Sequence, residues 1–165
     1  MKIRQLSATD AVDYRDVRLE ALKNNPEAFS SSFEEELEYG SEVYEGRLSH
    51  EHIYTFGAFV ENRLVGTVTL ICETKKKIKH RATVVAMYVL PEQRKSGVGK
   101  ALMNEAITKA KELKDIEQIY LAVTANNEPA KRLYNSLGFD TYGVDKNGLK
   151  IGDAYFDEDL MVLTV

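Results

Sequence analysis

One stretch of the 165-residue sequence, residues 84–103, constrains the fold more than any other. It begins with an apolar and aromatic run that ends at Leu90, and such a run is typical of a strand buried on both faces. Pro91 follows and cannot donate to a strand ladder, so the strand ends there. Apolar residues then recur at helical spacing from Val98 to Leu113. The sequence therefore predicts a strand, a tight turn and a helix that begins within residues 96–99.

Two glycines in this turn indicate an anion site. Gly97 and Gly99 let a ligand approach the backbone, and the first turn of a helix offers free N–H groups at the positive end of its dipole. Phosphate is the anion expected at such a turn. A P-loop is excluded because it needs Gly at Arg94 and Ser or Thr at Ala101. A dinucleotide fingerprint is excluded because its third Gly would fall at Leu102.

Length and composition predict one soluble globular domain over residues 1–165. The net charge of -4 argues against nucleic-acid binding, and no apolar run is long enough to span a membrane. The first residues alternate and lack an apolar signal region, and Cys72 has no partner for a disulfide. We therefore expect a cytoplasmic protein. The basic run at residues 75–81 is interpreted as a solvated loop between two strands.

Periodicity and turn signals predict the element order β-α-α-β-β-β-α-β-α-β-β. A helix that ends at Pro26 is followed by a second helix, from a cap at Ser31 or Ser32 to about Leu48. The long helix after the glycine turn extends to about Lys114. The strand at residues 117–123 should lie parallel to the one ending at Leu90. Two closing strands, residues 139–144 and about 154–163, are separated by a turn at residues 146–148.

Three motifs stand in sequence. They are Met87-Tyr88-Val89-Leu90-Pro91, Arg94-x-x-Gly97-x-Gly99 and Asn127-x-x-Ala130-x-x-Leu133-Tyr134-x-x-x-Gly138-Phe139. This series resembles the signatures of the GNAT superfamily, the acetyl-CoA-dependent N-acetyltransferases. The resemblance implies an α/β (α+β) fold in which about four helices flank a mixed sheet of six to seven strands. It also implies a V-shaped splay between the fourth and fifth strands.

The resemblance assigns cofactor-binding roles. Acetyl-CoA would lie in the splay, where its pantetheine arm pairs with the main chain of Met87, Tyr88 and Val89 as an added strand does. The Met87 N–H would face the thioester carbonyl, where negative charge develops. Backbone N–H groups of the turn would hold the diphosphate. The turn residues are Arg94, Lys95, Ser96, Gly97, Val98, Gly99 and Lys100. Asn127 would bond the arm, cap its helix, or do both. No metal is implied.

The resemblance also makes Tyr134 the catalytic acid that protonates the departing thiolate. Spacing alone favours a core Tyr on an amphipathic helix, and the rest of the motif pattern reverses that preference. The base is left open, because residues 82–90 contain no carboxylate where some family members place a Glu. The candidates are Glu34, Glu35, Glu73, His80 and water.

The expected function is acetyl transfer from acetyl-CoA to a primary amine of a small molecule or a peptide, by direct attack in a ternary complex. Cys72 has no local His to activate it, so a covalent acyl-enzyme is not expected. The acidic net charge favours a cationic acceptor. One alternative is a noncatalytic coenzyme A sensor or interaction module, and another is a nucleotide-binding regulator. A homodimer is possible on this sequence, and neither nucleic acid nor a membrane is an expected partner.

Overall fold

The computed structural model describes all 165 residues. Its strands are β1 Lys2–Gln5, β2 Ile53–Val60, β3 Arg63–Cys72, β4 Arg81–Val89, β5 Gln118–Thr124, β6 Asp140–Ile151 and β7 Ala154–Thr164. Its helices are α1 Ala11–Asn24, α2 Phe33–Leu37, α3 Ser41–Ser49, α4 Val98–Glu112 and α5 Glu128–Ser136. Short 3-10 turns, of which Pro26–Ala28 matters most below, join some of them. None of these helices combines the length and the apolar composition needed to cross a membrane.

All seven strands form one sheet in the order β1-β2-β3-β4-β5-β7-β6. Only β4 and β5 are parallel, and every other neighbouring pair is antiparallel. The predicted mixed sheet of six to seven strands is therefore confirmed, as is the parallel pairing across α4. The basic run lies in the turn between β3 and β4, as predicted, where Lys79 pairs with Asp115 at 3.2 Å.

The two parallel strands separate soon after they meet. Their pairing covers three residue pairs, which begin with Arg81 and Gln118 and end with Thr83 and Tyr120. On the other side of β4, the register against β3 shifts between Thr67 and Thr69. At this shift Ala86 has a φ of 52°, so β4 carries a bulge that bends it away from β5. The predicted splay between the fourth and fifth strands is confirmed.

Helices cover both faces of the sheet beside the splay. Buried side chains of α4, Leu102 and Ala106 among them, lie over β3, where Gly66 leaves room for Leu102. Tyr88 points to the opposite face, where its ring lies 6.4 Å from that of Phe29, just after α1. The two faces are referred to below as the α4 face and the α1 face. The α4 face carries the glycine turn, and the α1 face carries the loop between α1 and α2.

The predicted single helix from residue 31 or 32 to about Leu48 is wrong, because the chain forms two helices there. The cap at Ser32 is present and accepts from the Glu35 N–H at 3.1 Å. The chain leaves the helix after Leu37, since Gly40 is extended and begins α3. This break lets Glu36 turn inward, and the five helices exceed the expected number by one.

The predicted closing turn at residues 146–148 is also wrong, because β6 continues to Ile151 and the chain reverses at Gly152, whose φ is 59°. Residues 146–148 form an irregularity inside β6, where the register against β7 shifts between Asp145 and Leu149. The Asn147 N–H donates to Asp157 at 2.9 Å and fixes this bulge. A Lys-Asn-Gly sequence suits a bulge as well as a turn, since both require a residue at positive φ.

Glu36 joins the first three helices. It has no exposed surface, and it accepts from Arg18 at 2.9 Å, from Arg47 at 3.3 Å and from the Tyr44 hydroxyl at 3.1 Å. Burial alone would raise the pKa of Glu36, but the two guanidinium groups outweigh it and hold the pKa below its ordinary value. Glu36 is therefore ionised in the folded state at neutral pH.

We expect Glu36→Gln to lower the free energy of unfolding by about 3 kcal/mol, because it leaves Arg18 and Arg47 without their counter-charge. Since the pKa is depressed in the folded state, the contribution of Glu36 is present above the unfolded pKa and is lost as the pH falls below it. Urea denaturation from pH 7 to pH 3 measures both effects. The exposed neighbour Glu38 gives the matched control Glu38→Gln, and equal effects of the two variants would contradict the role of Glu36.

Candidate active site

The main chain of β4 presents unpaired groups to the splay. The Leu90 N–H donates to the Val65 carbonyl at 2.9 Å, so the main chain of residue 90 faces β3. Because N–H and C=O directions alternate along an antiparallel strand, the main chain of Val89 and Met87 faces the β5 side. β5 does not pair with β4 at this height. The N–H groups of Met87 and Val89 therefore open into the gap, as expected for a strand-like ligand.

The turn before α4 has the geometry of an anion site. Residues 94–97 are exposed, and Lys95 and Gly97 adopt positive φ values of 62° and 85°. Gly97 caps α4 through its carbonyl, which accepts from the Ala101 N–H at 3.0 Å. A Cβ on Gly97 would meet no atom within 4 Å, so the backbone there faces open space. The N–H groups of the first helical turn are accessible to an anion.

Gly99 serves the packing of this region. A Cβ on Gly99 would lie 3.1 Å from the terminal methyl of Met87 and 3.4 Å from Leu133. The absence of a side chain thus lets α4 approach both the splayed end of β4 and helix α5. Gly97 faces open space and Gly99 faces protein, although both were expected to serve ligand approach.

Arg94 fixes the turn through its side chain. Its guanidinium donates to the Val89 carbonyl at 3.0 Å and to the Asn25 side-chain oxygen at 3.1 Å, and lies 5.4 Å from the centre of the Tyr88 ring. The Ser96 hydroxyl donates to the Gln93 carbonyl. These side chains position the turn and leave anion contacts to its backbone. The Tyr88 hydroxyl lies near Asn24 and Arg94 but is enclosed without a hydrogen bond.

Helix α5 brings Tyr134 to the same place. Asn127 caps the helix by accepting from the Ala130 N–H at 3.3 Å, and Leu133 contacts Gly99 as described above. Tyr134 is 7% exposed, and its ring packs edge-on against Phe139 at 6.0 Å. Burial raises the pKa of Tyr134 to about 12, so the phenol keeps its proton at neutral pH. Leu133, the sequence neighbour of Tyr134, thus lies with Met87 beside Gly99 at the splayed end of β4.

Two of the four candidate bases lie far from Met87, and the other two lie on α2. Glu34 is exposed, and the Glu35 carboxylate accepts from the N–H and from the hydroxyl of Ser32, both at 2.9 Å, in a capping box. Hydrogen bonds to Ser32 lower the pKa of Glu35. Glu73 and His80 lie at the paired end of β4, beside Arg81. Met87 is six residues further along the strand, a distance of about 20 Å.

Cys72 lies at that distant end as well, opposite Ala82. Burial raises the pKa of its thiol, which disfavours the thiolate that a nucleophile requires. No three His, Cys, Asp or Glu side chains converge to hold a metal ion.

Two acidic residues on the strands beyond β5 were not among the predicted site residues. Glu158 of β7 lies directly opposite Thr124, the last residue of β5, and opposite Asp145 of β6 on its other side. Residues 155–161 combine aromatic and acidic side chains, which is the sequence signal for Glu158, whereas Asp145 has none. Local sequence could not place Glu158 opposite Thr124, because that pairing depends on which strand lies next to β5.

Comparison with known proteins agrees with this geometry. The sequence model of the acetyltransferase (GNAT) family matches residues 17–139, which is most of the chain. The chain belongs to the GNAT family. The match covers α1 from Val17 onward, the splayed strands, the glycine turn and α5, and it ends before β6 and β7.

Two archaeal relatives carry the name N-alpha-acetyltransferase. The protein from Sulfurisphaera tokodaii is 38% identical over 73 residues, which are 44% of this chain and 44% of that protein. The protein from Saccharolobus solfataricus is 30% identical over 118 residues, which are 64% of this chain and 71% of that protein. The GNAT chain thus spans less than half of the length of the first relative.

A solved structure extends the likeness to the whole chain. The crystal structure of a probable acetyltransferase from Staphylococcus epidermidis superposes with a TM-score of 0.82 at 29% identity. The superposition covers 99% of this chain and 98% of that one. The GNAT fold therefore includes the β6–β7 hairpin, which lies outside the family match.

We expect Gly97→Glu to reduce coenzyme A affinity by at least about 100-fold, because a carboxylate in the turn repels a diphosphate and covers its N–H donors. Isothermal titration calorimetry with coenzyme A measures this. Gly97→Asn is the matched control, since Asn tolerates positive φ without adding charge. Affinity that is unchanged in Gly97→Glu would contradict the anion site, and stabilisation by ATP equal to that by coenzyme A would favour a nucleotide-binding regulator.

Proposed function

We propose that this protein transfers an acetyl group from acetyl-CoA to a primary amine, by direct attack within a ternary complex. The observation that carries the proposal is the three-residue pairing of β4 and β5. Beyond it, free main-chain donors of β4 lie next to an exposed helix N-terminus. A ligand with an extended amide-rich arm and a diphosphate satisfies both features at once.

The residues present fit such a cofactor. The N–H groups of Met87 and Val89 can pair with the amides of the pantetheine arm. The Val89 carbonyl already accepts from Arg94, so Val89 contributes chiefly its N–H. The backbone of residues 94–100 would hold the diphosphate, and the exposed ammonium groups of Lys95 and Lys100 add positive charge. Asn127 is engaged as a helix cap, which leaves its N–H₂ free to donate.

Two groups of this chain have chemical roles in the transfer. The Met87 N–H stabilises the negative charge that develops on the thioester oxygen when the amine attacks. Tyr134 donates its proton to the sulfur as the carbon–sulfur bond breaks, which yields the thiol. A phenol with a pKa of about 12 is fully protonated in the neutral range and so is competent as a donor.

The acceptor approaches from the α1 face. The α4 face is occupied by the glycine turn and α5, whereas the loop between α1 and α2 and the β6–β7 hairpin border the other side of the splay. The names of the archaeal relatives specify α-amines, so the N-terminal amine of a peptide is the first acceptor class to test. Polyamines and aminoglycosides are the second class, because the acidic side chains of this chain favour cations.

The test is thiol release from acetyl-CoA across a panel of peptide and small-molecule amines. We expect turnover with at least one amine, and a fall in kcat of about 100-fold or more in Tyr134→Phe, which removes the proton donor. Tyr54→Phe on β2 is the control for loss of a phenol hydroxyl remote from the splay.

Coenzyme A affinity of Tyr134→Phe should stay within about twofold of the wild type, because the diphosphate turn is untouched. Coenzyme A binding without turnover for any amine would favour a noncatalytic sensor. Full activity of Tyr134→Phe would remove the general-acid role and leave the transfer reaction itself intact.

A further inference from the structure

The end of helix α1 is bonded to the β4 wall of the splay. The Arg94 guanidinium donates to the carbonyl of Val89, the last residue of β4, at 3.0 Å. The same guanidinium donates at 3.1 Å to the side-chain oxygen of Asn25, which directly follows α1. Arg94 therefore joins Asn25 to the end of the strand that carries the free main-chain donors.

The same segment is bonded to the β5 wall. The hydroxyl of Thr124, the last residue of β5, donates to the Glu27 carbonyl at 2.7 Å. Asn25 and Glu27 are two residues apart, so their Cα atoms are separated by at most about 7 Å. Backbone pairing between β4 and β5 covers three residue pairs at the other end of these strands. Residues 25–27, called the strap below, therefore connect two walls that have already separated.

The strap is short and stiff. The ring of Pro26 fixes its φ angle. The Ala28 N–H donates to the Asn25 carbonyl at 3.0 Å, and the Phe29 N–H donates to the Pro26 carbonyl at 3.3 Å. Because these bonds close the turn on itself, a tie at each end of the strap holds the two walls at a set separation.

Burial shows how far the splay is covered on the α1 face. Alternate residues of a strand point to one face, so Ala122 and Thr124 of β5 lie on the α1 face together. Thr124 is 5% exposed beside the strap, whereas Ala122 is exposed. On β4, Tyr88 is 5% and Val85 is 36% exposed, and they share a face because their partners on β3 are two residues apart. The α1 face is thus covered at the strap and open nearer the paired end, where an acceptor can enter.

The two walls carry different parts of the proposed chemistry. The Met87 N–H belongs to β4, whereas Tyr134 belongs to α5, which begins four residues after the end of β5. Lys131 of α5 donates to the carbonyl of Ala125, the first residue after β5, at 3.1 Å. On the α4 face, the packing of α4 against α5 joins the walls. The strap is the corresponding tie on the α1 face.

We propose that the strap sets the separation of these two walls during acetyl transfer, with Asn25, Arg94 and Thr124 as its positioning residues. This inference rests on the proposed function and adds residues that act through the walls of the splay. A displacement of about 1 Å between reacting groups can reduce a rate by about 100-fold. Loss of either tie should therefore slow the chemical step and leave the diphosphate turn in place.

Thr124→Val and Asn25→Leu each remove one tie. We expect each variant to lower kcat by about 10-fold or more with the best acceptor of the panel. The coenzyme A dissociation constant should stay within about threefold of the wild type. The double variant should be no slower than the slower single variant, because a strap released at one end no longer sets the separation. Losses that multiply in the double variant would overturn the assignment.

Thr55→Val on β2 is the matched control. It removes a buried hydroxyl that bonds the Thr69 hydroxyl at 2.9 Å, away from the splay, and so loses a hydrogen bond of the same kind. Its kcat should stay within about twofold of the wild type. Thr124→Ser keeps the donor and should stay within about threefold. A loss in Thr55→Val or in Thr124→Ser equal to that in Thr124→Val would contradict the role of the Thr124 hydroxyl.

Hydrogen exchange tests the strap without turnover. The Ala28 and Phe29 amides should exchange about 10-fold or more faster in both single variants than in the wild type and in Thr55→Val. Unchanged exchange in both variants would overturn the strap, and faster exchange with wild-type kcat would overturn its positioning role. Absence of turnover by the wild type with every amine would overturn the proposed function and the positioning role with it, while exchange would still test the strap itself.

Discussion

The site depends on the β-bulge at Ala86 in β4. A regular β4 would continue to pair with β5 beyond Thr83, and its N–H groups would then be consumed by the sheet. Instead the register against β3 shifts by one residue, β4 bends, and Met87 and Val89 keep their donors. These donors are available to a ligand that supplies acceptors in the position of the missing strand. The sheet is therefore folded along its whole width, although the Met87 and Val89 N–H groups of β4 have no partner strand.

Side-chain contacts hold this open arrangement in place. Arg94 connects the glycine turn to the end of β4 and to Asn25 at the end of α1, and Arg18 lies over the ring of Phe29 at 4.8 Å. Phe29 packs near Tyr88, whose main chain belongs to the bent strand. The Glu36 carboxylate in turn accepts from Arg18 at 2.9 Å. A continuous set of contacts thus runs from the buried carboxylate to the turn, and it fixes the loop between α1 and α2 relative to the splay.

Much of the fold and of the glycine turn could be predicted from the sequence, because the sequence signals for them are local. The strand that ends at Pro91, the glycine turn and the caps at Ser32 and Asn127 follow from backbone chemistry within a few residues. The two wrong predictions concern short segments whose sequence is compatible with two structures. Gly40 divides a predicted helix, where Glu36 accepts from Arg18. Asn147 lies in a bulge in place of a predicted turn, where its N–H donates to Asp157. The pairing of β7 with β5 and β6 could not be predicted, since strand order is a property of the whole sheet.

The edge position of the final hairpin has a consequence for how acceptor choice can change. β6 pairs only with β7, and β7 joins the rest of the sheet only through β5. The hairpin therefore does not pair with the bent strand that carries the free donors. Under the proposed function, changes in the hairpin would leave the backbone donors of β4 and of the glycine turn in place. Acceptor choice and acetyl-CoA binding would then be altered by substitutions in different segments of the chain.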